Sequence, residues 1–137
     1  WAHNLSHGVA FMTALVRQAS SAMEASADIL IIDINHRHKL DAPSGTSLAL
    51  AAAVKKGRSA HAREDKELEP VFSSVREGEV VGEHSVSFNT NDEVIEITHK
   101  AIERDFFEKG ALKAGQWLVK QEPGYYSTDD WLGLGSI

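Results

Sequence analysis

A nearly continuous apolar stretch from Ala27 to Ile34 runs directly into a cluster of cationic side chains and then into a Ser-Gly-Thr turn. That order constrains the chain more than any other feature. An apolar run of this length, bounded by turn residues, reads as a strand central in its sheet. Ser47 to Val54, rich in Leu and Ala, reads as a helix. Between them lies Asn35-His36-Arg37-His38-Lys39-Leu40-Asp41-Ala42-Pro43-Ser44-Gly45-Thr46. The first amides of a helix have no intrahelical partner and carry the positive end of its dipole, so they suit an anion. Gly45 allows close approach to the backbone, and Lys39 adds a full positive charge. A carboxylate or phosphate site at a strand-to-helix turn is one reading.

The same residues also suit a plain helix entry. Pro43 is pre-set for the first turn, and Asp41 or Ser44 can cap it. His36 and His38 read equally as surface imidazoles. His-x-His without a third ligand nearby in sequence does not make a metal site, and no metal is expected.

The remaining pattern is that of one α+β domain. Residues 6–24 have Phe11, Met12, Leu15, Val16, Ala19 and Met23 at helical spacing, with Ser6 as cap, and this stripe reads as core. The second helix is expected to end near Lys56, with Gly57 as its C′ residue. Arg58 to Glu69 reads as a solvated loop. Val71 to Glu77, Gly82 to Asn89 and Glu93 to Lys100 read as strands, the last two joined at Asn89-Thr90-Asn91-Asp92. A helix follows from Glu103 to about Gln121, closed by Pro123-Gly124. The tail, with Tyr125, Tyr126, Trp131, Leu132 and Leu134, is too aromatic for a free end.

Composition removes several classes of function. A net charge of −6 without a basic tract argues against nucleic acid as partner. No run of about 18 apolar residues suggests a membrane span. The first residues lack a secretory pattern, so a cytoplasmic location is expected. With no cysteine there is no disulfide, thiol chemistry or cysteine-bound zinc.

Residues 36–46, with Asn35 before them, are similar to the signature His-His-x-x-Lys-x-Asp-Ala-Pro-Ser-Gly-Thr of the 4-hydroxy-tetrahydrodipicolinate (dihydrodipicolinate) reductase family. Asn4-Leu5-Ser6-His7-Gly8-Val9 resembles the family's Asn-Phe-Ser-x-Gly-Val. Arg76-Glu77-Gly78-Glu79-Val80-Val81-Gly82-Glu83-His84 resembles its Arg-x-Gly-x-x-Val-Gly-Glu-His. Thr98-His99-Lys100-Ala101, with Arg104, Phe107, Gly110 and Ala111, resembles the segment after its last strand. The motifs fall in family order and cover most of the chain.

The resemblance implies the C-terminal, substrate-binding and assembly domain of a two-domain reductase: an open mixed four-stranded sheet with helices on one side. The chain has no Gly-x-Gly-x-x-Gly turn for a dinucleotide pyrophosphate, so the Rossmann half is expected to be absent from it. Residues 1–137 are then a single domain, with residues 1–5 a hinge segment and about 123–137 a tail that docks on the other domain. The implied reaction reduces 4-hydroxy-tetrahydrodipicolinate to tetrahydrodipicolinate with NADPH or NADH, in lysine and diaminopimelate biosynthesis. The implied assembly is a homotetramer through the sheet.

By the same resemblance, His36, Ser44, Gly45 and Thr46 bind substrate, and Lys39 serves catalysis. Ala2, His3, Asn4 and Leu5 touch the cofactor. Asn35 stands where the family has its proton-donating histidine, and Leu5 stands where phenylalanine is common. An amide is no general acid near pH 7, so Asn35 leaves two expectations: a working reductase, or a non-catalytic dicarboxylate-binding and assembly module. The chain alone is expected to be inactive.

Overall fold

The computed structural model describes residues 5–59 and 69–134. The element order is α1 (His7–Ala22), β1 (Asp28–Asn35), α2 (Gly45–Ser59), β2 (Val71–Arg76), β3 (Gly82–Asn89), β4 (Val94–Ala101), α3 (Phe106–Leu118) and α4 (Thr128–Leu132). The sheet order is β2-β1-β3-β4. β1 and β2 are parallel, with α2 supplying the crossover that a parallel pair needs, and the other pairs are antiparallel. The result is the expected open, mixed, four-stranded α+β sheet, with the apolar strand β1 in its interior.

Strand alternation sorts the sheet into two faces. Ile29 and Ile31 of β1 and Val86 and Phe88 of β3 point inward. They pack against Met12 and Val16 of α1 and Leu50, Ala51, Ala53 and Val54 of α2 to form the core. Leu30, Ile32 and Ile34 point to the opposite face and stay only half-buried. Their register partners across β1 and β2 include Val71 and Val75, both exposed.

Local chemistry explains the helix boundaries. Ser6 caps α1, its hydroxyl accepting from the Val9 amide at 3.2 Å. α2 does not stop at Gly57, as the sequence suggests, but continues to Ser59. Gly57 is buried inside the helix, where a Cβ would run into the Arg17 carbonyl of α1. Its missing side chain permits the helix contact, and its conformational freedom is not used. Arg58 and Ser59, assigned above to a loop, therefore form the last turn of α2, while residues 60–68 lie outside the described residues.

α3 is shorter than expected. It ends at Leu118: the Val119 amide still makes a helical bond to the Gly115 carbonyl, and Lys120 and Gln121 close the end through tighter turn bonds to Trp117 and Leu118. Of its residues only Gly110 is buried, where a Cβ would strike the Leu5 carbonyl. Phe107, Leu112 and Leu118 remain exposed. The described part of the tail also has partners within this chain. Asp129 takes Arg17 of α1 at 2.9 Å, Trp131 sets its ring edge-on to His7, and Tyr126 does so to Trp117 of α3. A capping box between Ser127 and Asp130 starts its short helix. Among the described residues no helix is long and apolar enough to cross a membrane.

Two glycines give opposite expectations. Gly57→Ala overpacks the α1–α2 contact and should cost about 1–3 kcal/mol. Gly115→Ala, with open space around it, should gain roughly 0.5–1 kcal/mol from helix propensity alone. Chemical unfolding of both variants beside the parent checks the pair.

Candidate functional site

The inward side of β1 changes character along its length. Ile29 and Ile31 enter the core, but the next inward residues are Asp33 and Asn35, both buried. A carboxylate in that position needs partners, because burying an unpaired charge is costly. Asp33 has them from several directions. The Arg76 guanidinium, at the end of β2, donates to Oδ1 at 2.5 Å. The Ser44 amide, Ser47 hydroxyl and Ser74 hydroxyl donate to Oδ2 at 3.2, 2.9 and 2.9 Å. The Asn35 side-chain amide donates to Oδ1 at 3.2 Å. Burial pushes the Asp33 carboxyl pKa up, but Arg76 and the Ser44, Ser47 and Ser74 donors outweigh it and hold it below the ordinary aspartate value.

This cluster anchors the loop of residues 36–44 that carries the cationic side chains. At its far end, Ser44 caps α2, its hydroxyl accepting from the Ser47 amide at 3.1 Å. In its middle, the second arm of Arg76 donates to the Asp41 carbonyl at 2.5 Å. At its near end the Arg37 amide donates to the Gly78 carbonyl and the Glu77 amide to the Asn35 carbonyl, tying the loop to the β2–β3 turn. Gly78 has φ of +50°, a conformation that suits glycine in that turn.

Lys39 and His36 are half-buried on this loop, whereas Arg37 and His38 are exposed. The Lys39 ammonium lies 3.1 Å from an Asp41 carboxylate oxygen, and that carboxyl is held below its usual range chiefly by this contact. Lys39, His36 and the first turn of α2 thus stand on one short loop, as the sequence suggests. Gly45 is exposed with open space beside its Cα. Ser44 differs in kind from its neighbours. It is buried, its amide serves Asp33, and its hydroxyl serves Ser47 and His84. The plain-cap reading therefore holds for Ser44 itself, while Gly45 and Thr46 form the turn it begins.

Asn35 directs its amide inward to Asp33, and its Oδ1 lies near Gly82. Leu5 packs its backbone on Gly110 of α3, and Ala2, His3 and Asn4 lie outside the described residues. The sequence reading gave no role to Asp33, Arg76 or His84. A carboxylate at inward parity within an apolar strand was the available signal for Asp33.

His84 on β3 completes the cluster. Its Nε2 is 3.1 Å from the Ser44 hydroxyl, and its buried Nδ1 has no hydrogen-bond partner. His99 faces it across β3 and β4. Desolvation lowers the His84 pKa from 6.5 to about 4, against the opposing pull of Asp33. His84 is therefore neutral near pH 7.

The C-terminal profile described as "Dihydrodipicolinate reductase, C-terminus" matches residues 8–132. The chain belongs to the dihydrodipicolinate reductase family. It represents the C-terminal domain of that family. It is 42% identical to the 4-hydroxy-tetrahydrodipicolinate reductase of Halorhodospira halophila, over 97% of this chain and 54% of that protein. It is 43% identical to that of Parvibaculum lavamentivorans, over 97% of this chain and 54% of that protein. The chain spans about half the length of the curated relatives it matches. A solved dipicolinate-bound dihydrodipicolinate reductase from Paenisporosarcina sp. TG-14 has the same fold, with a TM-score of 0.75 at 22% identity. That likeness covers 94% of this chain and 52% of the other.

A folded-state histidine pKa below its unfolded value stabilises above the unfolded pKa, and that stability is lost as pH falls toward the folded one. For His84 the window runs from about 6.5 down to about 4, and the loss across it amounts to roughly 3 kcal/mol. Urea unfolding at pH 7.5 and 4.5 should show most of this loss, and His84→Gln should flatten it.

Proposed function

We propose that the complete protein reduces 4-hydroxy-tetrahydrodipicolinate to tetrahydrodipicolinate with NADPH or NADH, in lysine and diaminopimelate biosynthesis, and that this chain supplies the dicarboxylate site. The observation that carries the reading is the placement of Lys39 and His36 on the loop that leads into the first turn of α2. A dicarboxylate offers two negative groups. One is matched by the Lys39 ammonium with His36 beside it, the other by the helix N-terminus at Gly45 and Thr46. The dipicolinate held by the solved relative is such a planar dicarboxylate.

The nicotinamide, when bound, supplies the hydride. The fit of this chain to a dinucleotide is poor at the strand-to-helix turn after β1: no Gly-x-Gly-x-x-Gly is present, and the Ser44 amide is already given to Asp33. On this reading the pyrophosphate site belongs to a Rossmann domain outside this chain, and Ala2, His3, Asn4 and Leu5 are the residues we assign to the cofactor side of the hinge. The exposed side of α3 and the exposed Tyr125 of the tail are the surfaces we assign to that domain. The apolar outer face of the sheet, Leu30, Ile32 and Ile34 flanked by Val71 and Val75, supports self-assembly through the sheet, which we assign as a homotetramer.

Dicarboxylate binding tests the site. In the complete protein, Lys39→Met should weaken binding of pyridine-2,6-dicarboxylate about tenfold to a hundredfold, the worth of one charge-assisted contact of about 1.5–3 kcal/mol. Calorimetric titration showing unchanged affinity would place the anion site elsewhere.

A second reading, a non-catalytic dicarboxylate-binding and assembly module, is favoured by one observation: Asn35 is buried and spends its amide on Asp33. An imidazole at position 35 would lie beside the same carboxylate, which favours its protonated form. A general acid typically contributes about 10²–10⁴-fold. Asn35→His in the complete protein should raise kcat at least tenfold with little change in KM, because the carboxylate contacts are untouched. Steady-state rates that are ordinary with Asn35 in place, with no gain from the substitution, would show that the proton comes from another group.

A further inference from the structure

We propose that Asp33 is the positioning residue of this site: through Arg76 and the Ser44 amide it fixes the loop that presents Lys39 and the first turn of α2 to a dicarboxylate. The inference rests on the reading of that loop as the substrate site. Asp33 itself is 1% exposed, so it touches no ligand. Its partners are the points from which the loop hangs. Arg76 uses one arm for Asp33 and the other for the Asp41 carbonyl, two residues beyond Lys39. Ser44, held by its amide, is the residue immediately before Gly45 and Thr46. Ser47 bonds both Asp33 and Ser44, fixing the first turn from within the helix.

The geometry makes the loop a strap between fixed ends. The distance between Lys39 and the helix N-terminus follows from where Arg76 holds Asp41 and where Asp33 holds Ser44. A carboxylate at position 33 is what lets both be held at once, since one oxygen serves Arg76 and the other the Ser44 amide. An amide at the same position has one acceptor oxygen and must offer donors where the structure already supplies donors. A bidentate ligand needs both of its anchors at a set separation. Loosening the strap therefore weakens binding of a dicarboxylate more than it weakens the fold.

The test uses the complete protein, with pyridine-2,6-dicarboxylate affinity by calorimetry and melting temperature measured on the same samples. Asp33→Asn alone leaves Arg76 without its counter-charge and is expected to lower both. Asp33→Asn combined with Arg76→Met removes the unpaired ion, so melting should largely recover while affinity stays at least tenfold reduced. Asp33→Glu keeps the charge within reach of the same donors and should restore affinity to within threefold. Ser74→Ala, on the exposed edge strand β2, removes one bond to Asp33 and should weaken binding about twofold to fivefold without moving the melting temperature. NADPH affinity should be unchanged throughout.

Recovery of dicarboxylate affinity together with melting in the double variant overturns the proposal, because Asp33 would then act on stability alone. Lys39→Met, run alongside, separates this failure from failure of the functional reading. Weak binding by Lys39→Met with full binding by the double variant rejects the positioning role and keeps the site. Full binding by Lys39→Met rejects the site, and the positioning role with it.

Discussion

The ion pair between Asp33 and Arg76 is the interaction on which the candidate site depends. It sits where the apolar core ends and the polar loop begins, on the same inward side of β1 as Ile29 and Ile31. A buried pair of this kind gives little net stability against an apolar alternative, but removing one partner typically costs about 3–5 kcal/mol because the other is left stranded. The donors around Asp33 come from β1, from β2, and from the start of α2. The carboxylate thus connects a strand edge, the loop and a helix cap. Leu50 and Val54 of that helix lie in the core, so this group ties the position of the loop to the packed domain.

Charge around the loop is arranged so that little of it is left free. Arg76 is neutralised by Asp33, Arg37 and Arg104 both approach Glu79, and Lys39 has Asp41. These pairs are not equal. Asp33 is shielded from water and Arg76 largely so, whereas Asp41 is exposed, where solvent screening leaves an ion pair weak. An incoming carboxylate can therefore take Lys39 from Asp41 at little cost, but cannot take Arg76 from Asp33. His84 stays neutral through desolvation, so its Nε2 engages the Ser44 hydroxyl without adding charge behind the helix terminus.

Much of this was legible in the sequence, for identifiable reasons. The strand β1, its interior position and the loop-to-helix turn follow from an apolar run broken by cations and a Ser-Gly-Thr turn. The Ser6 cap follows from its place before an amphipathic stripe. Gly57 misled because a glycine near a helix end has two uses, freedom of φ and absence of a Cβ, and only the packing of α1 on α2 distinguishes them. Asp33 escaped notice because a single carboxylate in an apolar run reads as an interruption until its partners are known. Those partners, Arg76 and Ser74, come from β2, far along the chain. Ser44 belongs to the candidate loop in both readings, but only its contacts show that it faces into the protein as a cap.

Asp33 holds the loop as an ionised carboxylate inside the protein. Selective carboxyl-carbon labelling of aspartate, followed by NMR titration toward acid with Asp33→Glu for assignment, measures this directly. The structure predicts a midpoint below the ordinary aspartate value and no protonation near neutral pH. A midpoint above that value would mean that burial outweighs Arg76 and the hydroxyl donors, and that Asp33 does not hold the loop by charge.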